Sequence, residues 1–524
     1  MPRAKFDADV IVVGAGNAAA CAALAARDAG AKVIMIESAP MEARGGNTSY
    51  TAGAMRFAYR DVQDLISVVG PLSDSDLANI DFGAYTESEF FDDMFRVTEF
   101  RTDMDLCEVL VTKSRATLQW MRSQGVRFQP SLGRQAFRIE GRFKFWGGVS
   151  CEVWGGGPGL VDALLATAER KGVQIQYETP AVALLHDDDG VHGVRVRHKS
   201  VTRNLTAPAV VLACGGFESN AEMRARYLGT NWDLAKVRGT RYNTGVGIQM
   251  ALDIGAMPYG HWSGAHSVAW DQNAPAFGDL RIGDAYQKHS YPLGIVVNRN
   301  GERFLDEGAD FRNYTYAKYG SAILQQPGMV AWQIFDSQVK HLLRDEYRIR
   351  EVTKVQAQTI EELVAQMEGV DSRRCIETIR AFNEAVDRDV PFSPNIKDGK
   401  GTRELVVPKS NWANAIEVPP FEAYAVTCGV TFTFGGLKIG TDASVEDSSG
   451  HVIPGLFAAG EIAGGLFYHN YPGGTGLTSG AVFGKIAGEN AARVVGQAIS
   501  GKAGVVTDTN RHDELAQEQR GAER

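Results

Sequence analysis

Residues 10–13 and 32–36 are two short runs that are apolar almost throughout and rich in β-branched side chains, with an alanine-rich stretch between them. Runs of that kind predict strands buried on both faces of a parallel sheet. The intervening spacing predicts a helix over residues 18–28, entered through the turn Gly14-Ala15-Gly16-Asn17-Ala18-Ala19. Gly14 permits a sharp turn, Gly16 lets the backbone approach a pyrophosphate, and small Ala19 lets helix and strand pack closely. Glu37 closes the second run, where a carboxylate can accept a hydrogen bond from a ribose hydroxyl. Strand, glycine turn, helix, strand and acid in that order predict a bound dinucleotide. An acid rather than an arginine at 37 disfavours a 2′-phosphate.

The same vocabulary recurs along the chain. Arg44, Gly45, Gly46, Asn47 and Thr48 form a backbone-rich loop directly after the ribose acid, which reads as a second cofactor loop. Residues 70–125 repeat apolar positions at helical spacing and read as core. A glycine loop, a helix from about residue 158 and a strand at 173–177 repeat the opening design. Three alternating runs at 182–186, 191–197 and 201–205 predict a β-meander, and a buried strand at 210–213 leads into Cys214-Gly215-Gly216. From residue 260 to 420 Trp, Tyr, His and Arg become common, with helices expected at 359–367 and 373–387. Beyond it a strand, a glycine loop and an Ala/Gly-rich helix return.

The expected class is therefore α/β: a Rossmann-like nucleotide domain with a β-meander, formed by residues 1–259 and 421–504. An α+β domain (260–420) is inserted into it, and a polar tail (505–524) is expected to be disordered.

Length, at 524 residues, allows two or three full cores. The net charge of −9 offers no electrostatic case for nucleic acid or an anionic membrane surface. Six cysteines (21, 107, 151, 214, 375, 428) stand apart without a C-x-x-C pair, which suits a reducing cytoplasm and argues against a built-in haem, cluster or zinc. The chain runs directly into its first strand, leaving no room for a signal peptide, and no apolar run reaches membrane-spanning length. A cytoplasmic protein without membrane insertion is expected.

Five segments in order resemble the fumarate reductase/succinate dehydrogenase flavoprotein family. They are GAGNAA with Glu37, RGGNTS, the strand running into ACGG at 213–216, VVNRNGERFLDE at 296–307 and GLFAAGE at 455–461. The N-terminal GNAA variant, RGTRYNTG (238–245) and VTFTFGGLKI (430–439) are most similar to FAD-dependent tricarballylate dehydrogenases. HNYPGGTG (469–476) locally resembles 3-ketosteroid dehydrogenases. The resemblance implies FAD as cofactor and a capping, substrate-bearing role for the inserted domain. It implies that Gly14, Gly16, Asn17, Ala18 and Ala19 hold the pyrophosphate and that Glu37 and Ser38 hold the adenosine ribose. Ala181 or Val182 would meet the adenine, with Ala213, Cys214 and Gly215 alongside, and Gly460 and Glu461 would meet the ribityl chain. Gly476, Leu477, Thr478 and Ser479, opening the last helix, would face the flavin N1–C2=O edge, where a helix dipole favours negative charge. Ser49-Tyr50 stands where covalent members carry a histidine, so non-covalent FAD is implied.

The family's reaction moves two hydrogens across a C–C bond next to a carbonyl or carboxylate. It needs a flavin, a proton-transfer group and donors that strengthen as the carbonyl oxygen gains charge. Tyr471 replaces the family's clamp arginine, Thr431 or Phe432 its clamp histidine, and the proton-transfer position aligns at Phe311, beside Arg312. Arg312, Tyr314 or Tyr316 is then the proton carrier, and His266 matches a histidine of the tricarballylate enzymes. Arg312 reads equally as a surface salt bridge and His266 nearly as well as a structural histidine. Arg241 and Arg303 read as structural, and the tryptophans at 146, 154, 262 and 270 as packing. The expected protein is an FAD-dependent dehydrogenase desaturating, or reducing, the α,β bond of a small carboxylate, first of all tricarballylate. The alternatives are a 3-ketosteroid or cyclic-ketone dehydrogenase and a non-catalytic FAD-binding redox subunit. Electrons would leave to an external acceptor: a partner protein, a quinone or oxygen.

Overall fold

A computed structural model describes residues 6–145 and 148–500. Val10–Val13 is buried at all four positions because it is hydrogen-bonded on both sides, in parallel, to Val33–Ile36 and to Ala209–Leu212. These three strands are the centre of a six-stranded sheet. Gln174–Gln176 follows Val33–Ile36 at one edge, and Val452–Ala458 then Ser444–Glu446 extend the other. The antiparallel meander Ala181–Asp187, Gly190–His198 and Val201–Thr206 stands beside it. The strand expected at 173–177 is thus a three-residue edge strand, shortened because it has only one partner.

Two helices cross this sheet in unusually close contact. Helix Asn17–Asp28 is alanine at seven of its twelve positions and is buried over its first ten residues. Helix Thr475–Ser500 meets it with Gly484 and Gly488, where a Cβ would sit 2.4 Å from the Ala18 carbonyl oxygen and 2.1 Å from that of Ala22. Small side chains on both partners let the backbones touch, and the N-termini of both helices are thereby held side by side. Asn17 fixes the pairing, its Nδ2 donating to the Leu477 carbonyl at 2.7 Å.

The second six-stranded sheet is organised on the 17-residue strand Phe421–Leu437. It pairs antiparallel with Pro258–Asp271, Ala331–Phe335 and Lys354–Ala357, and in parallel with Lys236–Val237. Helices Ile360–Gln366 and Ser372–Ala385 cover part of this sheet and close a smaller apolar core around Leu363, Ile379 and Phe382. The architecture is mixed α/β, a Rossmann-like domain joined to a cap. The tail 505–524 and Trp146 lie outside the described residues. Among the described residues no helix is long and apolar enough to cross a membrane.

Candidate functional site

The loops at the ends of the central strands surround a cavity of ≈ 530 Å³. Gly14 has φ +112° and packs so tightly that a Cβ would lie 2.4 Å from the Ala213 carbonyl oxygen, so the first turn can be made only by glycine. The Asn17 amide donates to Thr48 Oγ1 at 3.1 Å, which joins the first glycine turn to the second cofactor loop. Glu37 is buried at the end of its strand, one oxygen accepting from the Ala39 amide at 2.7 Å. Burial raises its carboxyl, and the amides of Ala39, Ala15 and Ser38 oppose that shift. Glu461 accepts from the Thr433 amide at 2.9 Å and stands close to Glu218, whose Oε1 takes Asn47 and Asn243 at 2.6 and 2.7 Å. Burial first, then the charge of Glu218, pushes the Glu461 carboxyl well above the ordinary range.

Of the residues expected to hold the cofactor, Gly14, Gly16, Asn17, Ala18, Glu37, Ser38, Gly46, Asn47 and Thr48 line this cavity. So do Ala181, Val182, Ala213, Cys214, Gly215, Gly460, Glu461, Gly476, Leu477 and Ser479. Four others stand behind the wall. Ala19 is packed inside its helix, Arg44 pairs with Asp162 at 2.9 Å, Gly45 turns at φ +97° against Val161, and Thr478 Oγ1 donates to the Arg56 carbonyl at 2.8 Å.

The same cavity is lined, from the cap and its hinges, by Tyr316, Tyr471, Phe432, Arg312, Arg238 and Arg344. The hydroxyls of Tyr316 and Tyr471 are 2.5 Å apart. His266 lies behind them, its ring stacked on Phe432 at 5.1 Å and meeting the edges of both tyrosines at 4.9 Å. Among the described residues neither of its ring nitrogens has a hydrogen-bond partner. Burial, and secondarily Arg238, holds its imidazole well below the usual value, so it is neutral. Arg312 Nη1 is 3.4 Å from His289 Nδ1 and its guanidinium lies over the Tyr316 ring. Burial, with the charge of Arg344 adding to it, brings the Arg312 guanidinium down to about 9.

Tyr314, two residues from both Arg312 and Tyr316, faces elsewhere. Its hydroxyl donates to Asp93 at 2.6 Å, and the buried Arg56 beside it donates to the Gly473 carbonyl at 2.8 Å. Tyr314 therefore braces the glycine loop from outside the cavity. Among the residues read as structural, Arg303 is held by Glu307, with Nε at 3.0 Å from Oε1. Arg241 lies over Phe277 although it also lines the cavity. Trp262 stacks on Phe217, Trp270 packs against Tyr286, and Trp154 is 58% exposed.

Sequence reasoning missed most of the charge in this site. Arg238 is buried, its Nε 2.9 Å from Asp284 and its Nη1 3.1 Å from Thr431. Arg134 reaches the other oxygen of Asp284 at 3.2 Å, and Arg344 pairs with Glu346 at 2.8 Å. Four guanidinium groups (Arg134, Arg238, Arg312, Arg344) thus gather around two buried carboxylates, with Glu152 further out beside Arg134. Arg238 sits in the RGTRYNTG segment, but no local spacing signals Arg134 or Arg344.

A glycine turn that excludes Cβ, paired helix N-termini, a buried ribose acid and an enclosed polar–aromatic pocket fit FAD and define a dinucleotide-dependent oxidoreductase. Residues 9–477 match the family described as FAD binding domain. A probable fumarate reductase of Shewanella frigidimarina (strain NCIMB 400) is 31% identical over 493 residues, covering 92% of this chain and 74% of that protein. The open conformation of a flavocytochrome c3 fumarate reductase superposes with a TM-score of 0.69 at 29% identity, over 93% of this chain and 78% of that one. A 3-ketosteroid Δ1-dehydrogenase from Sterolibacterium denitrificans shares the fold, with a TM-score of 0.70 at 22% identity, over 93% and 99%. The chain belongs to the FAD-binding fumarate reductase flavoprotein family. It is an FAD-dependent oxidoreductase acting on carbon–carbon bonds.

Proposed function

We propose that this enzyme desaturates, or in reverse reduces, the α,β carbon–carbon bond of a small polycarboxylate such as tricarballylate. The observation that carries the reading is the convergence of four guanidinium groups on one cavity wall, Arg238 and Arg312 buried and Arg134 and Arg344 partly buried. Cations gathered along one wall of a low-dielectric cavity raise the local potential, so such a cluster favours anions. A planar guanidinium meets both oxygens of a carboxylate, which orients the substrate as well as binding it.

FAD, when bound non-covalently in the cradle, supplies the two-electron chemistry at its ring. The α-proton of a carboxylate is removable only if its oxygens are stabilised as they gain charge, and the fixed guanidinium groups do this in a water-poor pocket. Arg312 carries the proton. Its guanidinium is protonated at neutral pH, yet it yields its proton more readily than an exposed arginine because burial disfavours its charge. Tyr316, Tyr471, Phe432 and Phe467 exclude water from the other wall. Electrons pass to an external acceptor, whether a partner protein, a quinone or oxygen. We assign the enzyme to the cytoplasm, in keeping with six free thiols, five of them buried.

One observation favours a second reading. The Tyr316–Tyr471 hydroxyl pair at 2.5 Å could polarise a ketone oxygen, as a 3-ketosteroid or cyclic-ketone substrate requires. The test is anaerobic mixing of the yellow holoenzyme with tricarballylate or with a neutral 3-ketosteroid, following flavin absorbance. Bleaching by the acid alone supports the first reading, bleaching by the ketone alone the second. No bleaching by any acid or ketone in a broad panel leaves a redox subunit without a substrate of its own.

A further inference from the structure

Arg134, Arg312 and Arg344 line a second cavity as well, one of ≈ 480 Å³ on the far side of the arginine wall. Its inner end is closed in, with His289 1% and Arg312 7% exposed. Its outer end is open to solvent at Arg138, His341 and Arg348. Its cations thus run from the exposed Arg138 and Arg348 to the buried Arg312, and the one acid on the lining, Asp345, is paired with Arg348 at 3.0 Å. Arg138 donates to the Gly141 carbonyl at 3.3 Å and lies over the Phe143 ring. Phe137, Leu293, Phe311 and Trp412 make the remaining walls largely apolar.

We propose that this second cavity is the channel through which an anionic substrate reaches the site, with Arg138 as its receiving cation and the exposed Arg348, shared with Asp345, beside it. The inference rests on the polycarboxylate reading and adds residues which that reading does not use. A cleft of one charge sign with low-dielectric walls focuses the field and raises the local concentration of the opposite ion. The effect matters here because the whole chain carries a net charge of −9 and repels a polyanion at long range. The arginines common to both cavities then pass the anion inward without a gap in positive charge.

The test uses the FAD-loaded enzyme and its R138Q/R348Q variant, since both side chains are exposed and neither lines the first cavity. Citrate is the probe. It is a tricarboxylate whose central carbon bears no hydrogen, so it cannot be desaturated. Calorimetric titration at about 20 and about 200 mM salt should give a Kd that rises roughly fivefold to tenfold in the variant at low salt, with the difference shrinking at high salt. An R138K/R348K variant should restore the wild-type value, because it keeps the charge. Equal Kd values for wild type and R138Q/R348Q, or no citrate binding by wild type, overturn the channel. Anaerobic bleaching by tricarballylate, run in parallel, separates the two claims. A wild type that is bleached while its citrate binding ignores the rim overturns the channel alone. A wild type that binds citrate through the rim but is not bleached supports the channel and overturns tricarballylate as substrate.

Discussion

The hydroxyl oxygens of Tyr316 and Tyr471 stand 2.5 Å apart, one at the start of helix Tyr316–Leu324 and the other in the loop that leads into the final helix. Residues 155 positions apart in sequence therefore clasp the cap to the nucleotide domain at the cavity wall. If the pair is a clasp and the guanidinium groups bind substrate, Tyr471→Phe removes one buried hydrogen bond. That loss is worth about 1 kcal/mol. Reduction by tricarballylate should then fall by less than about tenfold. Stopped-flow bleaching checks this, and a collapse of the rate would move the chemistry onto the tyrosines.

Arg312 is assigned the proton. Arg312→Gln should leave FAD bound and slow substrate-driven bleaching by roughly 10²- to 10⁴-fold, the usual worth of a positioned proton-transfer group. Desaturation needs the proton-accepting form, and the guanidinium is brought down to about 9. The rate of desaturation in wild type should therefore rise with pH and level off near that value. A profile that is flat from neutrality upward would exclude Arg312 as the base.

His266 and His289 are both held neutral, well below the usual imidazole value, chiefly by burial and then by neighbouring arginines. The unfolded chain binds protons at these positions where the folded one does not, so stability falls as pH drops through the ordinary histidine range near 6.5. Each histidine should cost about 1 kcal/mol per pH unit below that point. Thermal melts of His266→Phe between neutral and acidic pH should show a shallower loss than wild type.

Gly14 has no room for a side chain. Gly14→Ala combines a φ of +112° with a Cβ 2.4 Å from the Ala213 carbonyl, so the turn must open. The purified variant should be folded by circular dichroism yet nearly colourless after desalting. Retention of a full complement of flavin would show that the cofactor does not depend on this turn.

The nucleotide half was legible because its signals are local. Val10–Val13, the glycine turn, the alanine helix and Glu37 lie within one short unit, and each element's pattern agrees with its neighbours. The cap helices were legible to within a residue or two, from apolar spacing alone. Strand Phe421–Leu437 was not, because it is buried on both faces over nearly its whole length and alternates apolar with polar positions only at residues 430–434. The arginine cluster was illegible for another reason. Arg134, Arg238, Arg312 and Arg344 come from four distant segments, and only the tertiary fold brings them to one wall. Tyr314 and Tyr316 could not be told apart by spacing, since the chain changes from the 3₁₀ turn Arg312–Tyr314 to an α-helix between them and the two rings diverge.

The most direct measurement is a crystal structure of the FAD-loaded enzyme soaked with tricarballylate. The account predicts carboxylate oxygens within about 3 Å of the Arg312 and Arg344 guanidinium nitrogens, inside the cavity these residues share with the nucleotide loops. A ligand bound instead through the Tyr316 and Tyr471 hydroxyls, with no carboxylate on any arginine, would contradict it.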